Sequence, residues 1–518
     1  MNAKKIITYS LFILVFALLL QVSLFACSKT PGDQTGSKDG VSDTSPQSGD
    51  IRDEEKFIPH LDPAKLNLKG FELKILTSAD NRTYAVEQFV GYIDDEDKSE
   101  PVSLAVYERN ARLENEYGFT IQCEALETGF ANFLERVRND VGADLCDYHV
   151  IANGTSVIAP LTVEGYCYDF YTLQDSFLAL DESWWDPVTQ ADMSIGNHLY
   201  MVTGDIMLLD DQMTFGMFFN KDLITEYHLD SPFDLVYEDD WTLDEMYYMI
   251  KEVAHSGGGG VMNALNGEDT WGMVGVAFHT YQLVMGGGKG QVVKDAEDLP
   301  RFAMGDDANV NTFLKVFDII TDRDRVAIVE NYCRYDAPEA EIITDAFYEG
   351  RALFSPGTIS AVTSDKMRNA EIRYGIVPMP KYDATQDNYA STINPYHFFV
   401  MAIPNSNVED IDKITFCLEA MAYAGRQTVT PVYYELTLKL KRFADDDDSP
   451  EMLDIIFKNR LVDISVIFNW DDCIQYYNNL FFARSSNISA YCESKINSFN
   501  AKMQETIDAY ARIAELED

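Results

Sequence analysis

Phe71-Glu72-Leu73-Lys74-Ile75-Leu76 alternates apolar and polar side chains with the period of a β-strand, and Thr77-Ser78-Ala79-Asp80-Asn81 supplies the loop chemistry that follows one. Val102, Val106, Leu113 and Tyr117 then recur at helical spacing, Gly118 stands where a C′ glycine belongs, and 119–123 reads as a second strand. Phe133, Val137 and Val141 share one helical face ahead of a third strand at 147–152. Strands alternating with helices in this way argue for an α/β protein whose parallel sheet is covered on both faces.

Upstream of this unit, Lys4 and Lys5 precede an uncharged apolar run that ends in Leu24-Phe25-Ala26-Cys27. A basic start, an apolar middle and a small-residue end describe an export signal and not part of a fold. The last four residues resemble the lipobox of bacterial lipoproteins, in which cleavage leaves the cysteine as a diacylated first residue. The resemblance implies lipidation at Cys27 and work on the extracellular face of a membrane, because two acyl chains give stable anchoring. Residues 28–50 are rich in Ser, Gly, Thr and Asp without apolar periodicity, so 28–66 is expected to act as a flexible tether.

The 518 residues hold 40 basic and 85 acidic side chains, a formal charge of -45, so the surface repels polyanions and no nucleic-acid partner is expected. Eight cysteines, one of them Cys27, are scattered too widely for a disulfide framework, and no Cys/His spacing suggests zinc. Pairing of Cys473 with Cys492 stays open, as does a calcium site at Asp445-Asp446-Asp447-Asp448. Otherwise no metal and no cofactor is expected.

Downstream, 198–219 reads as mostly strand, interrupted by Gly204-Asp205. Thr242 as N-cap with Glu245 three residues on opens a helix whose buried stripe is Leu243, Met246, Tyr247, Ile250 and Val253, with Trp241 set to staple onto Met246. Phe347 to Phe354 is a helix end turning at Gly350 into a strand, and 373–380 a strand running into a proline-fixed loop. A helix with Ile411, Ile414, Leu418 and Met421 is expected to close at Gly425.

Gly204-Asp205, Phe218-Phe219-Asn220-Lys221-Asp222-Leu223, Trp241-Thr242-Leu243-Asp244-Glu245, the Gly350 turn and Tyr374-Gly375-Ile376-Val377-Pro378-Met379-Pro380 together resemble the extracellular solute-binding proteins of ABC importers, in particular the carbohydrate-binding, maltose-binding-like group. They fall in that family's order over most of the chain after Phe71. The resemblance implies a periplasmic-binding-protein-like type II fold: two α/β lobes joined by hinge strands, with a ligand cleft between them. It implies an N-terminal lobe from 67–208 with 399–448, a C-terminal lobe from 209–398 with 449–518, and crossings near 202–212, 392–400 and 444–449. The aromatic stretch 433–478 is longer than expected for maltose-type members and leaves the cleft rim open.

The function implied is capture of a sugar or oligosaccharide by hinge closure and delivery to ABC permease subunits, by a monomer. Sugars present hydroxyls around an apolar ring face, so their sites combine aromatic platforms with polar groups. Trp185 and Trp271 are the expected stacking surfaces, and Asp80, Asn153, Asp205 and Tyr396 the expected hydrogen-bonding groups, each placed at a strand end or hinge. No GxSxG or HExxH occurs, and Gly286-Gly287-Gly288-Lys289-Gly290 lacks the Ser or Thr of a phosphate loop, so an enzyme is not expected. Peptide or polyamine capture, and sensing for a membrane signalling protein, remain compatible with the same residues.

Overall fold

The computed structural model describes residues 57–63, 66–78, 84–91, 101–127, 129–173, 176–288, 290–406, 408–439 and 448–517. The export signal with Cys27, most of the expected tether, Asp80 and Asp445-Asp446-Asp447 lie outside the described residues. Ile58 and Leu61, inside the stretch expected to be tether, are buried, which moves the start of the folded body back to Phe57.

A four-stranded and a five-stranded sheet organise the chain. In the first, β2 (Thr120–Leu126), β1 (Glu72–Ser78) and β3 (Val150–Gly154) run parallel, and β12 (Phe399–Ala402) lies antiparallel beside β3. An isolated bridge from Val202 to Met401 adds the 200–204 segment beyond β12. In the second, β8 (Val326–Ile328), β5 (Trp271–Gly275) and β9 (Ala352–Thr358) run parallel, followed by antiparallel β4 (Phe215–Asn220) and then β10 (Tyr374–Val377). Each sheet therefore has three parallel strands, then one antiparallel strand supplied by chain returning from the other sheet, then an edge. The hairpin β6 (Val292–Lys294) and β7 (Pro300–Phe302) projects from the second lobe, and β11 (Ser391–Thr392) pairs with β13 (Arg460–Leu461) between the lobes.

Local rules carry most of these elements. Leu73, Ile75 and Leu76 of β1 are buried, and the Thr242 hydroxyl accepts from Glu245 N at 3.3 Å to open the helix Leu243–Val253. Met249 takes the place of Tyr247 in its buried stripe, since the Tyr247 hydroxyl reaches out to Asp322 at 2.7 Å. Trp241 is wholly buried and donates from its indole to Pro378 O at 2.8 Å.

Two expectations fail. Leu209–Met213 is a short helix inside the stretch read as strand, with Asp210 and Asp211 in its first turn, where carboxylates favour a helix. The helix expected to close at Gly425 runs from Ile411 to Lys439. Gly425 is there for close approach and not for termination: a Cβ on it would overlap the Asp205 carbonyl.

The C-terminal chain touches both lobes. Asp448–Lys458 packs on β10, Ile464–Phe468 on the first-lobe helix Thr155–Val163, and Tyr476–Phe482 on the second-lobe helix His279–Gly286. The long final helix Ile488–Glu517 reaches β7, the helix Asp307–Ile320 and again Thr155–Val163.

Candidate functional site: the pocket at the lobe crossings

The chain passes from the first lobe to the second at 202–214 and returns at 393–401. The two crossings run antiparallel, with Val202 and Met401 exchanging backbone hydrogen bonds at 2.9 and 2.8 Å and Asn394 N donating to Met213 O at 2.8 Å. The parallel strands of both sheets point their carboxyl ends toward these crossings, the position at which open α/β sheets gather ligands.

A pocket of about 470 Å³ opens beside the first crossing, within the size range of small-molecule sites. The first lobe contributes Trp184, Asp186, Arg426 and Tyr434, the crossing contributes Asp205, Asp210 and Asp211, and the C-terminal chain contributes Phe457 and Arg460. A smaller pocket of about 170 Å³ lies between Gln88 and Ser103 of the first lobe, Gln212 of the crossing, and Thr363 and Arg368 of the second lobe.

Arg460 is the centre of the larger pocket. Its Nη2 lies 2.9 Å from Asp186 Oδ2, and its Nη1 lies 2.8 Å from Asp211 Oδ1 and 3.4 Å from Asp210 Oδ2. Alongside, Asp205 Oδ1 accepts from the Thr430 hydroxyl at 2.7 Å while Oδ2 stands 3.7 Å from Arg426. Burial, helped by the nearby Asp211 charge, pushes the Asp205 carboxyl up to about 7, and burial also raises Asp210 and Asp211. Burial works against the Arg460 charge, but Asp186, Asp210 and Asp211 outweigh it and hold the guanidinium above its usual value. The arrangement offers charged acceptors and donors beside the rings of Trp184, Tyr434 and Phe457.

On the second lobe, Phe278 follows the end of β5 and stands 5.2 Å, ring to ring, from Tyr396 in the return crossing. The Tyr396 hydroxyl accepts from Gln475 Nε2 at 2.8 Å, and Tyr396 keeps 40% of its surface exposed.

Chains of known structure share this architecture. An ABC substrate-binding protein, Lmo0181 of Listeria monocytogenes in complex with cycloalternan, aligns with a TM-score of 0.52 at 11% identity over 84% of this chain and 100% of its own. UspC of M. tuberculosis aligns at 0.54, with 13% identity over 83% and 100%. A cyclo/maltodextrin-binding protein complexed with maltotetraose aligns at 0.53, with 13% identity over 86% and 99%. This chain has the solute-binding-protein fold. No protein-family model matches the sequence, and no curated protein sequence does either.

Within the solute-binding fold the six expected site residues separate. Asp205 lines the larger pocket, and Tyr396 is an exposed ring in the return crossing. Asn153 is at the carboxyl end of β3 as expected but is buried, donating to Ser78 Oγ at 2.9 Å and accepting from Gly154 N at 2.8 Å. Trp185 has no exposed surface and donates to Glu419 Oε2 at 2.6 Å, so it offers no ring face; Trp184, its neighbour on the same tight turn, is the one that lines the pocket. Trp271 is buried against Tyr332 as the first residue of β5, at the amino end of the parallel strands and away from the carboxyl ends where ligands gather, and is core. Asp80 falls outside the described residues.

Sequence reading passed over Arg460, Arg426, Tyr434 and Phe457. The available signal was Asp210-Asp211 inside an apolar crossing, since paired carboxylates in such a run need a buried cation. Cys473 and Cys492 are free thiols, and the described residues include no cluster of three or more metal-ligating side chains.

Proposed function

We propose that this chain is the capture subunit of an ABC importer, tethered outside the cell through a lipid on Cys27, which binds a sugar or oligosaccharide between its lobes and delivers it to the permease. One observation carries the reading: a pocket of about 470 Å³ sits at the lobe crossings and combines ring faces with convergent donors and acceptors. Closure around a ligand held there excludes water and lets both lobes contact it. A ligand favours the closed form only by as much as it binds that form better. The sugar-binding proteins that share the fold support the assignment of ligand class, and the Leu24-Phe25-Ala26-Cys27 motif supports the anchor. Asp205, Trp184, Tyr434 and Phe457 are the proposed ligand-facing groups, with Tyr396 and Phe278 as a second ring surface and Asn153 as a support for the strand ends.

The test is a thermal-shift screen of the form beginning at Ser28 against mono- and oligosaccharides, including maltotetraose. Ligand at about 100 times its dissociation constant should add about 2.7 kcal/mol and raise the melting temperature by about 2–4 °C. Phe457→Ala should remove the shift, and Tyr434→Phe, which keeps the ring and loses only the hydroxyl, should weaken it. The melting temperatures of the unliganded variants report whether they fold. No shift from any saccharide would overturn the reading.

A further inference from the structure

The carboxylates around Arg460 outnumber its charge. Asp186, Asp210 and Asp211 face one guanidinium, a formal charge of minus two, and each of the four side chains is about nine-tenths buried. Asp205 stands 3.7 Å from Arg426 and accepts from Thr430, so it is counted with that cation and not with the deficit around Arg460. Among the other charged residues lining the pocket, Lys458 and Asp454 offset in number and Asp181 adds a further carboxylate, Asp192 stands close enough to feel the Asp186 charge, and Tyr434 faces the cluster as a neutral phenol. Buried charge of one sign is not tolerated without a counter-charge, so the cluster holds either protons or a cation. The deficit borders an open pocket with ring walls from Trp184, Tyr434 and Phe457, and a cation over a ring face is itself favoured.

We propose that the captured solute carries an ammonium group, as an amino sugar does, and that this group takes the place of the protons held by the carboxylates beside Arg460. The inference rests on the capture reading and narrows its ligand class. The elements that would grip the ammonium belong to the first crossing, to the first lobe at Asp186, and to the C-terminal chain at Arg460. Binding there couples the ligand's charge to closure. Burial raises the Asp210 and Asp211 carboxyls, which fits a site that is protonated when empty.

Matched pairs that differ in one amino group test it on the full chain from Ser28: glucosamine with glucose, galactosamine with galactose, and the β-1,4 dimer of glucosamine with cellobiose. Spermidine and calcium chloride serve as further arms, and binding is followed by calorimetry. The amino member of at least one pair should bind ten times more tightly or better than its neutral partner. That affinity should fall severalfold from pH 7 to pH 5.5, with proton release on binding, and Asp210→Asn and Asp211→Asn should each reduce the preference. Equal binding of both members overturns the ammonium and leaves sugar capture standing. Binding of spermidine alone overturns the sugar and keeps the cationic ligand. Stabilisation by calcium alone, or binding by no probe, overturns the inference.

Discussion

Glu419 has no exposed surface, yet its carboxylate accepts from the Trp184 indole at 2.9 Å, the Trp185 indole at 2.6 Å and Ala179 N at 3.0 Å, with His60 Nε2 at 2.7 Å. A buried carboxylate is stable only when its lone pairs are filled in this way. Glu419→Leu orphans three N–H donors, each costing about 1–2 kcal/mol because two of them are only partly buried, and should lower unfolding stability by about 3–6 kcal/mol in urea titration. Trp185→Ala should cost about 3–5 kcal/mol by opening a core cavity, so it reports on folding and not on ligand contact. The pair Trp184-Trp185 was legible as a cluster, but both indoles are held by Glu419, some 234 residues downstream of Trp185. No local pattern contains that information. Asp205 carries a prediction of opposite character. Its folded value is about 7 against an ordinary 3.8, so the folded state binds the extra proton between those limits. Stability from this group is present below about 4 and lost as pH rises through 7. Asp205→Asn keeps the acceptor for Thr430 and removes the titration. Melting temperature plotted against pH should therefore fall less steeply from pH 4 to pH 7 in the variant than in the parent; identical slopes would show that Asp205 does not titrate there.

Elements whose structure is set by their own residues were legible. The strand β1, the Thr242 cap and the turn at Gly350, with φ +80°, follow from alternation, side-chain capping and glycine's access to the left-handed region. The helix Ile411–Lys439 was misread because Gly425 has two possible meanings, terminator or contact, and the deciding neighbour is the Asp205 carbonyl of the distant first crossing. Leu209–Met213 was misread because its apolar run is too short for periodicity to separate strand from helix. The same contact makes a prediction. Gly425→Val would push the long helix off the first crossing, where the backbone cannot yield without moving Asp205, and overpacking of this kind costs about 1–3 kcal/mol. The variant should keep its helical circular dichroism, lose that much stability in urea, and expose Asp205 enough to return its carboxyl toward the ordinary range, visible by NMR titration.

At the scale of the molecule, the parallel strands of the first sheet were implied by alternating strands and helices, but the antiparallel strands that complete each sheet and the ties between lobes were not, because they join residues about 100 to 270 positions apart. The β6–β7 hairpin of the second lobe is the clearest of them. Lys294 Nζ donates to Ala191 O at 2.6 Å, to Ser194 O at 2.5 Å and to Ser194 Oγ at 3.2 Å on the first lobe, while Asp298 on the same hairpin holds Lys294 at 3.0 Å and accepts from Asn197 N at 3.0 Å. Asp192 Oδ2 accepts from Val462 N at 2.8 Å close by, and burial pushes that carboxyl up to about 7. The capture by closure proposed above requires the lobes to separate somewhere, and contacts this dense would then mark an edge about which they turn. Lys294→Met keeps the apolar stem, removes the ammonium, and leaves two backbone carbonyls of the first lobe without their donor. The expected loss is about 2–5 kcal/mol in stability, from the same cost of orphaned polar groups. Spin labels on the exposed Leu145 of the first lobe and Tyr335 of the second should show a broader distance distribution in the variant than in the parent. An unchanged distribution with the stability loss intact would make the hairpin a packing element of the fold and place the turning edge at the 202–214 and 393–401 crossings alone.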